Sequence, residues 1–306
     1  MRNVVQLCVC VFNQARSIIL NGALLMPRIP QDYLDCVAFL YCSREDAEQS
    51  VPRGGTGFLV GRPRETAADL KLYVVTNRHV AQNARVLRFH RLGNRYLVDV
   101  DASNWVFHPH GDDVAALCLK VTEPSGVPIV PVHAFITESF IREYGIRPGM
   151  EAFMMGRLVG CDGVQQTNPS VRFGNLAMMP DGIRRENGLT QESFLVDLFS
   201  LAGHSGSPVF LYETQQNFPG DKELRFYGVR LLGINWGFYR KAEIVWNGTG
   251  NDKKDTGMWV DVNTGFACVV PSWKILEVLD EVDLAGSAAV VDVEPSDAAP
   301  IPSFES

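Results

Sequence analysis

With 306 residues, 46% of them hydrophobic and 21% charged, the chain has the composition of a globular protein and the length for one large domain or two lobes, which excludes an intrinsically disordered one. Its formal net charge of −7 leaves no basic surplus to neutralise phosphates, which excludes a general binder of nucleic acid or anionic membrane. No apolar stretch is long enough to span a bilayer. The early run LCVCVF is broken by Asn13-Gln14, so no signal peptide is expected. The seven cysteines are odd in number and include no C-x-x-C pair. Cys8 and Cys10 are too close along a strand to pair readily, and Cys118 and Cys268 lie in apolar runs. A reducing compartment, the cytoplasm, is the simplest reading.

Residues 1–33 form an N-terminal arm that reads equally as a docking helix or an edge strand, closed by Pro27 and Pro30. Residues 34–127 read as a first β set. Its strands are YLDCVAFLYC, GGTGFLVG, KLYVVT, RVLRFH, RYLVDV and DVAALCLKV, with GRPRETAAD a polar hairpin excursion. TEPSGVPIVPVH, rich in Pro and Gly, is the expected link between lobes. Residues 128–285 carry a second set: MEAFMMGRL, SVRFGNLAMM, SFLVDLF, SPVFLY, RFYGVRLLGINWG and TGFACVVP. Between the last two lies a long mixed-charge loop, RKAEIVWNGTGNDKKDTG. SWKILEVLDEVDL has helical spacing with Ser272 as N-cap, and 286–306 reads as a disordered acidic tail. The expected fold is all-β: two six-stranded antiparallel, Greek-key β-barrels packed side by side, with a C-terminal helix.

The chemistry concentrates in FLVDLFSLAGHSGSPVFLY, residues 194–212. Ser205 sits on a small-residue turn, Ala202-Gly203-His204-Ser205-Gly206-Ser207, between two apolar strands. That arrangement exposes a hydroxyl beside bare backbone N–H groups, which a nucleophile and an oxyanion hole require. The plain alternative is a Gly/Ser hairpin. A serine hydroxyl needs a base, and the base needs an orienting group. Of the six histidines, His79 stands out because it follows the strand KLYVVT and opens a turn. The alternative for it is a capping or core histidine. His90 and His133 read as surface or packing residues, and His204 diverges from its neighbour Ser205. His108-Pro109-His110 lacks the Cys or carboxylate cluster of a metal site, so no metal or cofactor is expected. Asp113 directly precedes the strand VAALCL and is preferred as orienting acid over Asp112; both read alternatively as ordinary turn aspartates.

These residues carry a family resemblance. The order His, Asp, Ser resembles that of the chymotrypsin/trypsin-like serine proteases. Thr76-Asn77-Arg78-His79-Val80, Asp113-Val114-Ala115-Ala116-Leu117 and Gly203-His204-Ser205-Gly206-Ser207-Pro208 resemble the T-N-x-H-V, D-[IVL]-A-V-L and G-N-S-G-G-P motifs of the bacterial Deg/HtrA branch. Gly55-Thr56-Gly57-Phe58 is similar to its G-S-G-F segment, and Gly233-Ile234-Asn235 and Val270-Pro271-Ser272 to the strands after the serine. The resemblance implies that Ser205 attacks the scissile carbonyl, His79 shuttles the proton, Asp113 orients the imidazole, and the N–H groups of Gly203 and Ser205 form the oxyanion hole. It puts the base of the substrate pocket at Phe199, six residues before the nucleophile, with walls at Trp236, Gly237 and Gly265. With no acid at the base, a small or medium apolar P1 residue is expected; a Phe there can also half-fill the pocket and favour only small residues.

The chain departs from the family at His204, where the pattern has Asn or Asp, so an acid-paired N-terminus cannot serve as a zymogen switch. Ser207 stands for a second Gly, and no PDZ domain is expected after Leu279. The expected activity is a serine endopeptidase acting on protein or peptide substrates, with a regulatory protein partner at the arm or tail as one mode of control. The alternatives are a catalytically silent binding scaffold and an α/β-hydrolase. The second is disfavoured because Ser207 breaks the Gly-x-Ser-x-Gly elbow and His79 comes too early.

Overall fold

The computed structural model describes residues 29–49, 51, 53–63, 70–91, 94–121, 127–161, 163, 167–185, 188–212, 228–248, 252–286 and 290–293. Most of the N-terminal arm, the excursion at 64–69, Cys8 and Cys10, and the tail after residue 293 lie outside them. The first half runs α1 (Gln31–Asp35), β1 (Val37–Tyr41), α2 (Arg44–Gln49), β2 (Gly55–Pro63), β3 (Leu70–Thr76), α3 (Arg78–Ala81), β4 (Val86–Arg91), β5 (Asn94–Asp99), β6 (Val106–Phe107), β7 (Ala115–Val121) and β8 (Val130–Pro131). The second half runs α4 (Glu138–Tyr144), β9 (Glu151–Gly156), β10 (Ser170–Arg184), β11 (Thr190–Asp197), β12 (Pro208–Leu211), β13 (Arg230–Asn247), β14 (Lys254–Pro271), α5 (Ser272–Ala285) and β15 (Val290–Val293).

The fold is mostly β and has the two-barrel layout of chymotrypsin-like proteins. The first sheet runs β15-β7-β3-β2-β1-β4-β5, with β6 on β7 and β8 on β2. The second is a closed barrel, β10-β11-β14-β13-β12-β9. Each encloses its own apolar core: Leu40, Leu59, Val74, Leu87, Phe89 and Leu117 in the first, Met154, Phe194, Val196, Val209 and Val269 in the second. A third cluster spans the seam. Phe39, Phe58 and Tyr73 from the first sheet meet Phe153, Phe210 and Ile234 from the second, under Ile275, Val278 and Leu279 of α5. Phe153 and Phe210 stack at 5.1 Å, and Tyr33 packs edge-on to Phe210 at 5.5 Å.

Four local expectations differ. YLDCVAFLYC is not one strand. Pro30 enters a turn of helix at Gln31, whose amide donates to Asp35 at 2.7 Å, and only Val37–Tyr41 is extended. The mixed-charge segment after Gly237 is not a loop. β13 and β14 continue as a paired two-stranded ribbon from Arg240↔Asn263 to Asn247↔Lys254. Cross-strand backbone bonds, not an apolar face, define it, so alternation does not reveal it. Ser272 does not cap α5, because its hydroxyl donates instead to the Ile136 carbonyl at 2.5 Å. Finally, Val290–Val293, expected in a disordered tail, pairs in parallel with Cys118–Val121. Three β-branched valines suit the edge of β7 left open beyond β6. Among the described residues no helix is long and apolar enough to cross a membrane.

Helix α5 is tied to the first barrel by Asp283, whose carboxylate accepts from Lys71, from Tyr73 Oη at 2.6 Å and from Arg62 at 2.9 Å. The carboxylate is about one-third exposed, so solvent screens part of this. Replacing Asp283 with Asn is expected to lower unfolding free energy by about 1–2 kcal/mol, read as a lower urea midpoint at unchanged slope.

Candidate active site

Thr76 ends β3, and the next residues turn into the one-turn helix α3. His79 therefore leaves a rigid strand end and stands 43% exposed at the seam. Asp113 lies just before β7 with its side chain buried. Every polar group of Asp113 is engaged. Its N–H donates to Gln191 Oε1 at 2.8 Å and its carbonyl accepts from Asn77 Nδ2 at 2.8 Å. Oδ1 accepts from the His79 N–H at 3.1 Å, and Oδ2 lies 2.7 Å from His79 Nδ1. Arg185 reaches the same Oδ2 at 3.5 Å. Burial alone would raise this carboxyl, but the His79 hydrogen bond and the charges of His79 and Arg185 outweigh it and hold the pKa below the ordinary aspartate value. An ionised carboxylate only accepts, so Nδ1 of His79 is the donor in this contact and Nε2 is the ring nitrogen turned away from Asp113. The rival Asp112 is turned elsewhere: it accepts from Gln191 Nε2 at 2.7 Å and pairs with Lys274 at 3.6 Å and His108 at 3.1 Å.

The turn before β12 is clamped from both barrels. On one side, Thr56 of β2 donates its N–H to the Ser205 carbonyl at 2.8 Å and its hydroxyl to the Gly203 carbonyl at 2.7 Å. On the other, Asn235 of β13 accepts from the Gly206 N–H at 2.8 Å, donates its N–H to the Ser207 carbonyl at 2.9 Å and its amide to the His204 carbonyl at 2.9 Å. Gly203 and Gly206 take φ +94° and +88°, conformations that disfavour side chains. A Cβ on Gly206 would fall 1.8 Å from the Thr56 carbonyl oxygen. With the carbonyls of Gly203, His204, Ser205 and Ser207 so occupied, the N–H groups of Gly203 and Ser205 meet no acceptor among the described residues.

A Cβ placed on Gly55 would lie 2.8 Å from Val80 Cγ1 and 3.0 Å from the Ser205 carbonyl oxygen, so the residue after His79 and the backbone of Ser205 flank one glycine. Among the described residues no hydrogen bond joins the Ser205 hydroxyl to His79; in unliganded sites such contacts are often long and tighten only around substrate. The remaining sequence candidates border an open mouth. Gly237 and Gly265 face empty space, Trp236 Nε1 donates to Ser193 Oγ at 3.0 Å, and Phe199 is 47% exposed, more than a closed pocket floor would allow.

His204 has a structural role that spacing did not reveal. It is fully buried, and its Nδ1 accepts the Leu201 N–H at 3.1 Å while Nε2 faces Ser170 Oγ at 3.3 Å. Burial, with a smaller contribution from Arg172, pushes its pKa down to about 4. A neutral imidazole thus replaces an acid as the brace of the oxyanion turn. Arg185 and Gln191 were likewise missed, since both reach Asp113 from a distant hairpin, whereas Thr56 and Asn235 lay inside quoted motifs without an assigned role.

The profile of the family described as trypsin-like peptidase domain matches residues 55–216, just over half of the chain. No curated protein matches it. Among solved structures, the MamO protease domain of Magnetospirillum magneticum is 17% identical, with 80% of this chain and 96% of that one covered and a TM-score of 0.47. The active form of the Rv3671c protease of M. tuberculosis is 14% identical, with 87% and 94% covered and a TM-score of 0.43.

Two outcomes follow from this geometry. Gly203→Ala places a methyl 2.7 Å from the Arg157 carbonyl oxygen in a positive-φ conformation, which swings the peptide out of line. Peptide cleavage by this variant is expected to fall about 10²-fold or more in kcat, the scale of one lost oxyanion donor, in steady-state assays. Because the folded-state pKa of His204 is depressed, the unfolded chain takes up the proton first. The stability that the neutral ring contributes is whole above pH 6.5 and declines as pH falls towards about 4, by about 3 kcal/mol in all. Urea titrations across this range should show the decline, and a markedly shallower one in His204→Asn.

Proposed function

The chain belongs to the trypsin-like peptidase family and is a serine protease, and from that premise we propose that it is an endopeptidase in which Ser205, His79 and Asp113 form the triad. The Ser205 hydroxyl attacks the scissile carbonyl carbon while His79 Nε2 takes its proton. The carbonyl oxygen, now negative, accepts from the N–H groups of Gly203 and Ser205. The imidazolium then protonates the leaving amine as the C–N bond breaks; water next attacks the acyl carbon while His79 Nε2 takes its proton, and the C–Oγ bond breaks as the imidazolium returns a proton to Ser205, releasing the new carboxyl terminus. The observation that carries this reading is the 2.7 Å contact of His79 Nδ1 with a buried Asp113 held as a carboxylate, together with a serine turn in which the Gly203 and Ser205 N–H groups meet no acceptor among the described residues.

A small or medium apolar P1 residue is supported by the bare walls at Gly237 and Gly265 and by Phe199, with no acid at that position. A cytoplasmic location is supported by the free thiols of Cys36, Cys42, Cys118, Cys161 and Cys268. A second reading has one observation in its favour: with no hydrogen bond yet joining Ser205 to His79, the enzyme would stand latent until a protein partner at the arm or tail closes the contact.

A fluorophosphonate probe tests both. Labelling of Ser205 in the isolated chain supports a constitutive enzyme; labelling only with a partner present supports the latent one; none in either case returns the chain to a silent scaffold. Ser205→Ala should abolish cleavage while shifting Tm by no more than about 3 °C, as the hydroxyl makes no hydrogen bond among the described residues. His79→Ala should lose about 10⁴-fold or more, since triad members act as a unit.

A further inference from the structure

Beside His79 lies a cleft of about 410 Å³ lined by Arg78, His79, Gln82, Gly111, Arg185 and Leu189. In a chain of net charge −7, the described residues of this lining include two guanidiniums and no carboxylate. Asp113, buried beneath it, is the one carboxylate within ion-pair reach of either arginine among the described residues, and it already serves His79. Neighbouring acids are occupied: Asp112 by Gln191 and Lys274, and Glu192 and Glu277 by Lys274.

Both arginines are held in place by ring stacking, and among the described residues only Arg185 has a carboxylate in reach, the Asp113 that it shares with His79. Arg78 rests on the Phe107 ring at 5.0 Å and has no ion pair among the described residues. Arg185 lies over the Trp236 ring at 5.8 Å, and its backbone closes the β10–β11 turn by accepting from Gly188 and donating to the Leu189 carbonyl at 2.7 Å. Its 3.5 Å approach to Asp113 engages one end of a guanidinium that has five N–H donors. Preorganised donors with unspent charge, partly shielded from water, favour an anion that arrives with its own shape and position fixed.

We propose that this cleft is a subsite for an acidic side chain, Asp or Glu, lying within a few residues of the bond to be cut. The proposal rests on the endopeptidase reading for its substrate. A polypeptide laid across His79 and along Trp236 brings flanking side chains over both guanidiniums, and a carboxylate there completes the pairing that Asp113 alone leaves unfinished. The resulting substrate class is an acid-flanked apolar site, distinct from anything the P1 pocket selects.

The test uses a fixed peptide with a small apolar P1 residue, in which Asp is compared with Asn at each flanking position in turn. At low salt, kcat/KM for one position should favour Asp about tenfold, the scale of one charge-assisted hydrogen bond, and the preference should shrink as salt is added. Arg78→Gln should bring the ratio towards one, and Arg78→Glu should reverse it in favour of Lys. A ratio near one at every position, or one that survives both substitutions, overturns the proposal. Binding to Ser205→Ala, followed by fluorescence anisotropy, reads the subsite without catalysis. There the Asp peptide should bind about tenfold tighter than its Asn twin, and loss of that difference on adding Arg78→Gln completes the support. Equal or absent binding of the twins overturns the subsite. Discrimination in binding by a protein whose wild type cuts nothing leaves the subsite standing and overturns the endopeptidase reading instead.

Discussion

One residue of the first sheet holds the serine turn of the second barrel. Thr56 spends its N–H, its carbonyl and its hydroxyl at the seam. It donates to Ser205 at 2.8 Å and to Gly203 at 2.7 Å, and accepts from the Arg157 N–H at 2.9 Å and from Thr76 Oγ1 at 2.6 Å. Thr76 also ends the strand that leads into His79, so one short path of hydrogen bonds runs from that strand end to the backbone of Ser205. Thr56 itself is fully buried, where each of these bonds is shielded from competing water. Glycine on either side follows from this closeness: a Cβ at Gly55 would strike Val80, and one at Gly57 would strike the Val75 carbonyl at 2.9 Å.

Electrostatics in the site follow a consistent division. The groups that must be charged or basic are given partners for that form, and the group that must only brace is buried. Asp113 is stabilised as an anion by His79 and Arg185 despite burial, while His204 is deprived of any acid and stays neutral. The neutral ring is what lets Nδ1 of His204 accept from Leu201; protonation would set an Nδ1–H donor against the Leu201 N–H, so the turn before β12 depends on this histidine staying neutral.

The strand–turn texture of the two barrels and the three catalytic candidates were legible because each rests on local pattern. β-branched runs bounded by turn residues mark the strands, and His79, Asp113 and Ser205 each sit where a strand begins, ends or turns. The preference for Asp113 over Asp112 rested on its contact with an apolar strand, and Asp113 is the aspartate that meets His79. What sequence could not carry is long-range. Gln191 separates the two aspartates by giving Oε1 to one and Nε2 to the other, yet it lies on β11, far along the chain. Arg185 reaches Asp113 only because β10 and β11 extend as a hairpin to the seam. The distal ribbon of β13 and β14 exposes Trp246 and Trp259 instead of hiding one face, so it has no alternation to read. VVDV at 290–293 is too short to distinguish from a tail until β7 offers it an edge.

The seam also decides how the site responds to strain. Both barrel interiors are closed apolar cores whose packing resists small deformations. The residues of the proposed site, by contrast, are divided between the two halves: His79 and Asp113 on one, Gly203 and Ser205 on the other. A slide of one half past the other by a fraction of an ångström would leave each core intact yet shift these residues relative to one another, and in enzyme sites misplacement of about 1 Å is worth about 10²-fold in rate. The aromatic cluster of Phe39, Phe58, Phe153 and Phe210 opposes such a slide by close packing, and the Thr56 bonds oppose it by direction. The geometry of the proposed site therefore depends on the fit between two packed halves more than on the packing of either alone.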